Sequence, residues 1–118
     1  MKTFLPLLLL AIACGPAEAK KETIPGNPQR GKELIAQHGC NVCHAIPGIE
    51  GMQGSLGPDL TGVASRPTIS NEKVQNTPAK MTQFIQEPAS LNPESAMPPI
   101  GIPPADAQDM TAYLFTLK

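Results

Sequence analysis

Two cysteines separated by Asn41 and Val42, with a histidine directly after the second, constrain this chain more than any other feature. They are Cys40, Cys43 and His44, within the stretch HGCNVCHAIPG. The 118 residues hold only three cysteines and two histidines, so the short run from His38 to His44 gathers two of the thiols and both imidazoles. A disulfide, a zinc site, a redox dithiol and covalent haem attachment all draw on such residues, and the rest of the chain has to choose among them.

The start of the chain reads as an export signal rather than as fold. MKTFLPLLLLAIACGPAEAKKE has a basic start at Lys2, an apolar run from Phe4 to Ala13 and small residues after it. That order and length match a secretory signal and are too short for a bilayer span. Two cleavage readings compete. Ala17-Glu18-Ala19 is an A-x-A site, giving a signal over 1–19 and a mature start at Lys20. Leu10-Ala11-Ile12-Ala13-Cys14 resembles a lipobox, which would end the signal at residue 13 and lipidate Cys14, although Ala11 stands where such boxes prefer Leu. No later stretch is apolar and long enough to span. Export to a bacterial periplasm is therefore expected, with membrane attachment only through a lipid on Cys14. In such an oxidising compartment, exposed thiol pairs are disulfide-bonded, metallated or alkylated.

Residues 20–27 read as a short linker and 28–118 as one domain. The net charge of −1, without a basic run, argues against nucleic acid as a partner. Once the signal is removed, the aromatic residues are Phe84, Tyr113 and Phe115, with no Trp. A domain of this size buries a modest fraction of its surface, and with so few large side chains its core looks under-filled unless something else completes it.

Three helices can be read, joined by long loops. Asn27 suits a cap and Pro28 a first helical position, with Gly39 as a stop. Thr77 caps and Pro78 opens a second helix, which Pro88 ends; Met81, Phe84 and Ile85 make its apolar stripe. Ala107, Met110, Leu114 and Leu117 repeat at helical spacing over roughly 104–117, with Tyr113 beside them. No strand pair shows alternation, so the domain is expected to be all-α. The loop from Ala45 to Thr77 is long and punctuated by glycines, as loops with a function or wrapped on something tend to be. The proline-rich segment 88–104 is expected to be extended and stiff.

C-x-x-C-H is a haem-attachment motif. Two thiols forming thioethers and an adjacent imidazole must all reach one porphyrin from one turn of chain, which explains the spacing. Zinc needs about four ligands, and only Cys40, Cys43 and His44 cluster, with His38 a strained fourth. A thioredoxin-like dithiol belongs to an α/β pattern that is absent. A plain disulfide leaves His44 and the thin core unexplained. The motif is therefore read as attaching one haem c. His38 reads as an exposed helix residue.

A soft thioether is a suitable sixth ligand and raises the potential. Met81 and Met110 sit on apolar helical stripes, where packing explains them. Met52 lies in the Gly-rich loop. Met97, in NPESAMPPIG, is stiffened by Pro98 and Pro99, a good way to hold one side chain at a fixed point.

The stretches RGKELIAQHGCNVCH, GPDLTGV, NTPAKMTQFIQEP, AMPPIG and DMTAYLFTL follow one another in the order and spacing of a known family. Over about Gly26 to Lys118 the chain resembles a class I c-type cytochrome, closest to the small bacterial monohaem type and similar in layout to mitochondrial cytochrome c. The resemblance implies a cytochrome c-like fold wrapped around one haem, with thioethers on Cys40 and Cys43, His44 as proximal and Met97 as distal ligand. It implies that the Pro58 carbonyl accepts the His44 Nδ1–H, that Leu60 packs on the haem, and that Arg66 faces a propionate. Ser95 either donates to the other propionate or serves as a loop-turn hydroxyl. Gly31 would let the first helix cross the last closely, near Tyr113. The chain departs from the mitochondrial pattern in reading Asn76 for Trp and Phe84 for Tyr, in one extra residue before Cys40, and in a longer loop between His44 and Pro58.

The function this implies is that of a monomeric one-electron carrier rather than an enzyme. Its partners would be donor and acceptor complexes such as a terminal oxidase, a bc-type complex or a periplasmic reductase or dehydrogenase. Two rivals stand beside it: a haem-based ligand sensor or peroxidase-like protein whose Met97 dissociates, and a non-haem metal chaperone.

Overall fold

The computed structural model describes residues 23–118. The two signal readings, Cys14 and the first residues of the linker lie outside them. Among the described residues the fold is built from four helices and one two-stranded ladder: α1 (Pro28–Gln37), β1 (Thr68–Ile69), β2 (Val74–Gln75), α2 (Pro78–Gln86), α3 (Pro88–Leu91) and α4 (Pro104–Leu114). None of these helices is long and apolar enough to cross a membrane.

Local chemistry sets the helix starts. The Asn27 side-chain oxygen accepts from the backbone N–H groups of Gln29 at 3.0 Å and Arg30 at 3.1 Å, satisfying two donors that a helix leaves free. Thr77 Oγ1 does the same for Lys80 N at 3.2 Å. Pro28, Pro78 and Pro104 each open a helix, where a missing N–H costs nothing. Gly39 turns the chain out of α1 with φ 68°, a left-handed conformation that suits glycine.

Helices α1 and α4 cross at near backbone contact. A Cβ on Gly31 would collide with the Asp109 carbonyl and sit 2.9 Å from Met110 N. The residue that demands this glycine is therefore Asp109, a turn before the expected neighbour Tyr113. Around the crossing, Arg30 Nη1 donates to Asp106 Oδ1 at 2.8 Å and Asp109 Oδ2 at 2.7 Å, while Asn27 N donates to Asp109 Oδ1 at 2.7 Å. The Asn27 N–H, and then the Arg30 guanidinium, hold the Asp109 carboxyl below the usual range. Helix α2 packs on α4 through Met81 and Ile85, and through a hydroxyl pair, Thr82 Oγ1 and Thr111 Oγ1, 2.8 Å apart.

Aliphatic side chains from loops complete the core: Ile46, Ile49, Val63 and Ile102 join Leu34, Ile35, Met110 and Leu114. Met81 and Met110 are buried, as packing residues are.

The predominantly helical class holds, and the elements differ from expectation in three details. The ladder β1–β2 pairs Thr68 with Gln75 and Ile69 with Val74; two residues per strand are too few to show alternation. Pro88 ends α2 but also opens the single turn α3, so the proline-rich segment is not extended throughout: proline excludes a helix interior, not a first turn. The last helix stops at Leu114, and Leu117 instead offers its carbonyl to Ala64 N at 2.9 Å.

Candidate haem-attachment site

After Gly39 the chain tightens into a 3₁₀ turn over Cys40–Val42. His44 N donates to Cys40 O at 3.0 Å and Cys43 N to the same oxygen at 3.3 Å, so both cysteines and the histidine leave one turn of chain. The thiols are free and half-buried. Burial pushes the Cys40 thiol up, keeping it protonated. Among the described residues no three His, Cys, Asp or Glu side chains converge as a metal cluster, so the geometry is not that of a closed zinc site.

His44 is held from two sides. Its Nδ1 lies 2.7 Å from the Pro58 carbonyl oxygen. A carbonyl only accepts, so Nδ1 carries the proton and the Nε2 lone pair is left for a ligand. Gly57 lies against the ring: a Cβ there would stand 2.7 Å from Nδ1 and 2.9 Å from Nε2. Two backbone bonds fix the loop that brings these residues in, Gly57 N to Cys43 O at 2.7 Å and Leu60 N to Ala45 O at 2.8 Å.

The loop between His44 and Pro58 is latched onto the motif. Asn41 Nδ2 donates to Met52 O at 2.9 Å, and Gly54 N donates to Asn41 O at 2.9 Å and His44 O at 3.3 Å. Gly54 lies so close to Val42 O that a side chain would not fit. Gln53 reads the backbone from the other side, accepting from Ile46 N at 2.6 Å and donating to Ile49 O at 2.8 Å.

The structure thus gathers Cys40, Cys43, His44 and Pro58, with Leu60 part-buried against the core. Arg66 joins the Pro58 loop by donating to the Asp59 and Thr61 carbonyls, the latter at 3.1 Å. Asp59 Oδ1 accepts from Thr61 N at 2.8 Å, a contact that holds its carboxyl low. Ser95 and Met97 form a separate local unit: Met97 N donates to Ser95 Oγ at 3.3 Å, and Ser95 N to Asn92 O at 3.0 Å. Met97 is half-buried, and His38 is exposed at the C-terminal cap of α1. Sequence reasoning missed Asn41, Gln53 and Gly57; of these only Gly57, directly before Pro58, carried a signal. Asn76 uses Nδ2 to hold Val63 O and Arg66 O, each at 2.9 Å, and its buried Oδ1 has no partner.

These residues fit a covalently held haem: two unpaired thiols and an imidazole on one turn, with the ring's outer nitrogen committed and a glycine where any side chain would displace it. The comparisons agree. The family model described as "Cytochrome c" matches residues 28–118. No curated protein matches the sequence. Cytochrome c2 from Rhodobacter sphaeroides superposes with a TM-score of 0.62 at 21% identity, over 79% of this chain and 97% of that one. Cytochrome cH from Methylobacterium extorquens gives 0.60 at 23% identity, over 77% and 99%. SoxXA from P. pantotrophus gives 0.59 at 23% identity, over 80% and 83%. Both the sequence family and the shape of the fold thus lead to one conclusion, that this chain belongs to the cytochrome c family and is a class I c-type cytochrome.

Proposed function

We propose that this cytochrome is an exported one-electron carrier whose single haem c is held by thioethers from Cys40 and Cys43 and ligated by His44 and Met97. The observation that carries the reading is the His44–Pro58 contact at 2.7 Å beside the Cys40–Val42 turn. When bound, the group supplies a one-electron iron couple. The chain's own residues do the rest. Pro58 keeps the proton on Nδ1 and leaves the Nε2 lone pair as the donor. Gly57 leaves room for the ring in that orientation. Pro98 and Pro99 stiffen the segment that presents Met97, so the pocket alters little between redox states. Thioether and imidazole ligation together would favour the reduced form and a raised potential. Leu60 would lie against the porphyrin, and Arg66 and Ser95 near its propionates.

Exchange partners would be membrane-bound or periplasmic donor and acceptor redox proteins, meeting the carrier through a small transient interface below about 1,200 Å². The test is spectroscopic. The purified exported protein should show sharp haem bands on reduction and, when oxidised, the weak far-red band of a sulfur–iron bond. Carbon monoxide should not shift the reduced spectrum. A shift would favour the rival reading of a ligand sensor with a dissociable Met97, and a colourless folded protein would end both.

A further inference from the structure

Among the described residues the exposed large apolar side chains are Val42, Met52, Leu56 and Ile100, and the first three lie on the attachment turn and the loop hydrogen-bonded to it. Val42 lies between the two cysteines. Met52 and Leu56 stand on the loop latched to Asn41 and Cys43. Ile100 belongs to another segment, three residues after Met97. Single exposed apolar residues need no explanation, but a group of them does.

Leu56 is 88% exposed, Met52 61% and Val42 53%. None of this comes from a loose loop. The hydrogen bonds from Asn41 to Met52, from Gly54 to Asn41 and His44, and from Gly57 to Cys43 hold both ends of the segment, and Gln53 anchors its middle. A loop already fixed at both ends carries its apolar side chains into contact without a further cost of ordering the backbone. The surroundings are also free of charge. From Gly39 to Ile49, from Gly51 to Pro58 and from Ala96 to Ala105 there is no Asp, Glu, Lys or Arg. A partner surface bearing charges would lose their hydration here and find no counter-charge.

We propose that Val42, Met52 and Leu56 form an uncharged apolar docking face for a redox-partner protein whose own contact surface is apolar, with Leu56 as the anchor. The proposal rests on the carrier reading and adds to it the chemistry of the partner. Three side chains fall well short of the roughly 800 Å² per partner that a stable complex buries, so the face serves brief encounters and not a permanent dimer. The longer loop between His44 and Pro58 is what supplies Met52 and Leu56.

The experiment follows oxidation of the reduced holoprotein by membranes of the source organism, comparing wild type with Leu56→Ser, Leu56→Met and Met52→Gln. Leu56→Ser should raise the KM for the cytochrome about tenfold with kcat unchanged, and Leu56→Met should stay within about twofold of wild type. Wild-type KM should change little as ionic strength rises to ~0.3 M. An unchanged KM in Leu56→Ser, or a wild-type KM that climbs steeply with salt, would overturn the proposal. So would a wild-type dimer in sedimentation that Leu56→Ser dissociates, since the occupant would then be a second copy. Reduction by dithionite and reoxidation by ferricyanide test the carrier reading separately. If wild type lacks that cycle the carrier reading fails, whereas an unaltered KM with the cycle intact sinks only the docking face.

Discussion

The imidazole of His44 and the carbonyl of Pro58 are joined by a 2.7 Å hydrogen bond across a loop that also lays Gly57 flat against the ring. The bond fixes which nitrogen carries the proton, and the glycine fixes where the ring stands. Orientation and protonation of the proposed ligand are therefore set by residues distant from it in sequence.

Replacing Gly57 by Ala should displace the ring, because the added methyl overlaps it. Overpacking of this kind costs about 1–3 kcal/mol. The expected outcome is a poorer yield of holoprotein and a shifted potential in what forms, read by haem absorbance per protein and by redox titration. Normal yield and potential would show that the ring has room to move.

Met97→Ala should remove the thioether while leaving the Cys40–Val42 turn intact. The potential should fall, the far-red band should vanish and carbon monoxide should then bind the reduced protein. An unaltered spectrum would mean that another sulfur was the ligand.

At the α1–α4 crossing, Gly31→Ala drives a methyl into the Asp109 carbonyl. Here the obstacle is backbone, which cannot swing aside as a side chain does. A loss of about 1–3 kcal/mol is expected from guanidinium unfolding of the holoprotein. The same measurement on Asn27→Ala should show about 1 kcal/mol, the worth of a helix cap, plus any change in how α1 seats on Asp109.

Acid should loosen the same crossing. The Asp109 carboxyl is held below its usual range by Asn27 N–H and Arg30. A depressed folded-state pKa means stability that is complete above the unfolded value, near ~4, and lost as pH falls through the folded value. Unfolding midpoints of wild type and Asp109→Asn should therefore differ at neutral pH and converge as the pH is taken below the ordinary carboxylate range. A constant difference across that range would remove the ionised carboxylate from the account.

Much of this fold is legible before any coordinates. Asn27, Pro28, Thr77 and Pro78 mark helix starts because capping depends on residues within one turn. Cys40, Cys43 and His44 are legible as a haem-attachment motif for a similar reason, since the motif is a fixed short spacing. The ladder Thr68–Ile69 with Val74–Gln75 escaped notice because pattern needs length. Pro88 is ambiguous in sequence, because the same residue serves equally as the stop of one helix and the start of the next turn. Pro58 entered through family likeness: nothing in its own neighbourhood says which imidazole its carbonyl meets.

Residue types and short spacings by themselves determined the attachment motif and where the helices begin, since those depend on near neighbours along the chain. Folding in three dimensions decided that Gly31 answers to Asp109, that Tyr113 Oη donates to Pro47 O at 2.6 Å, and that the exposed Met52 is tied through its carbonyl to Asn41. Each of these is a meeting of segments far apart in sequence, and which atoms meet is fixed by the packing of α1, α4 and the loops together, a property no local stretch contains.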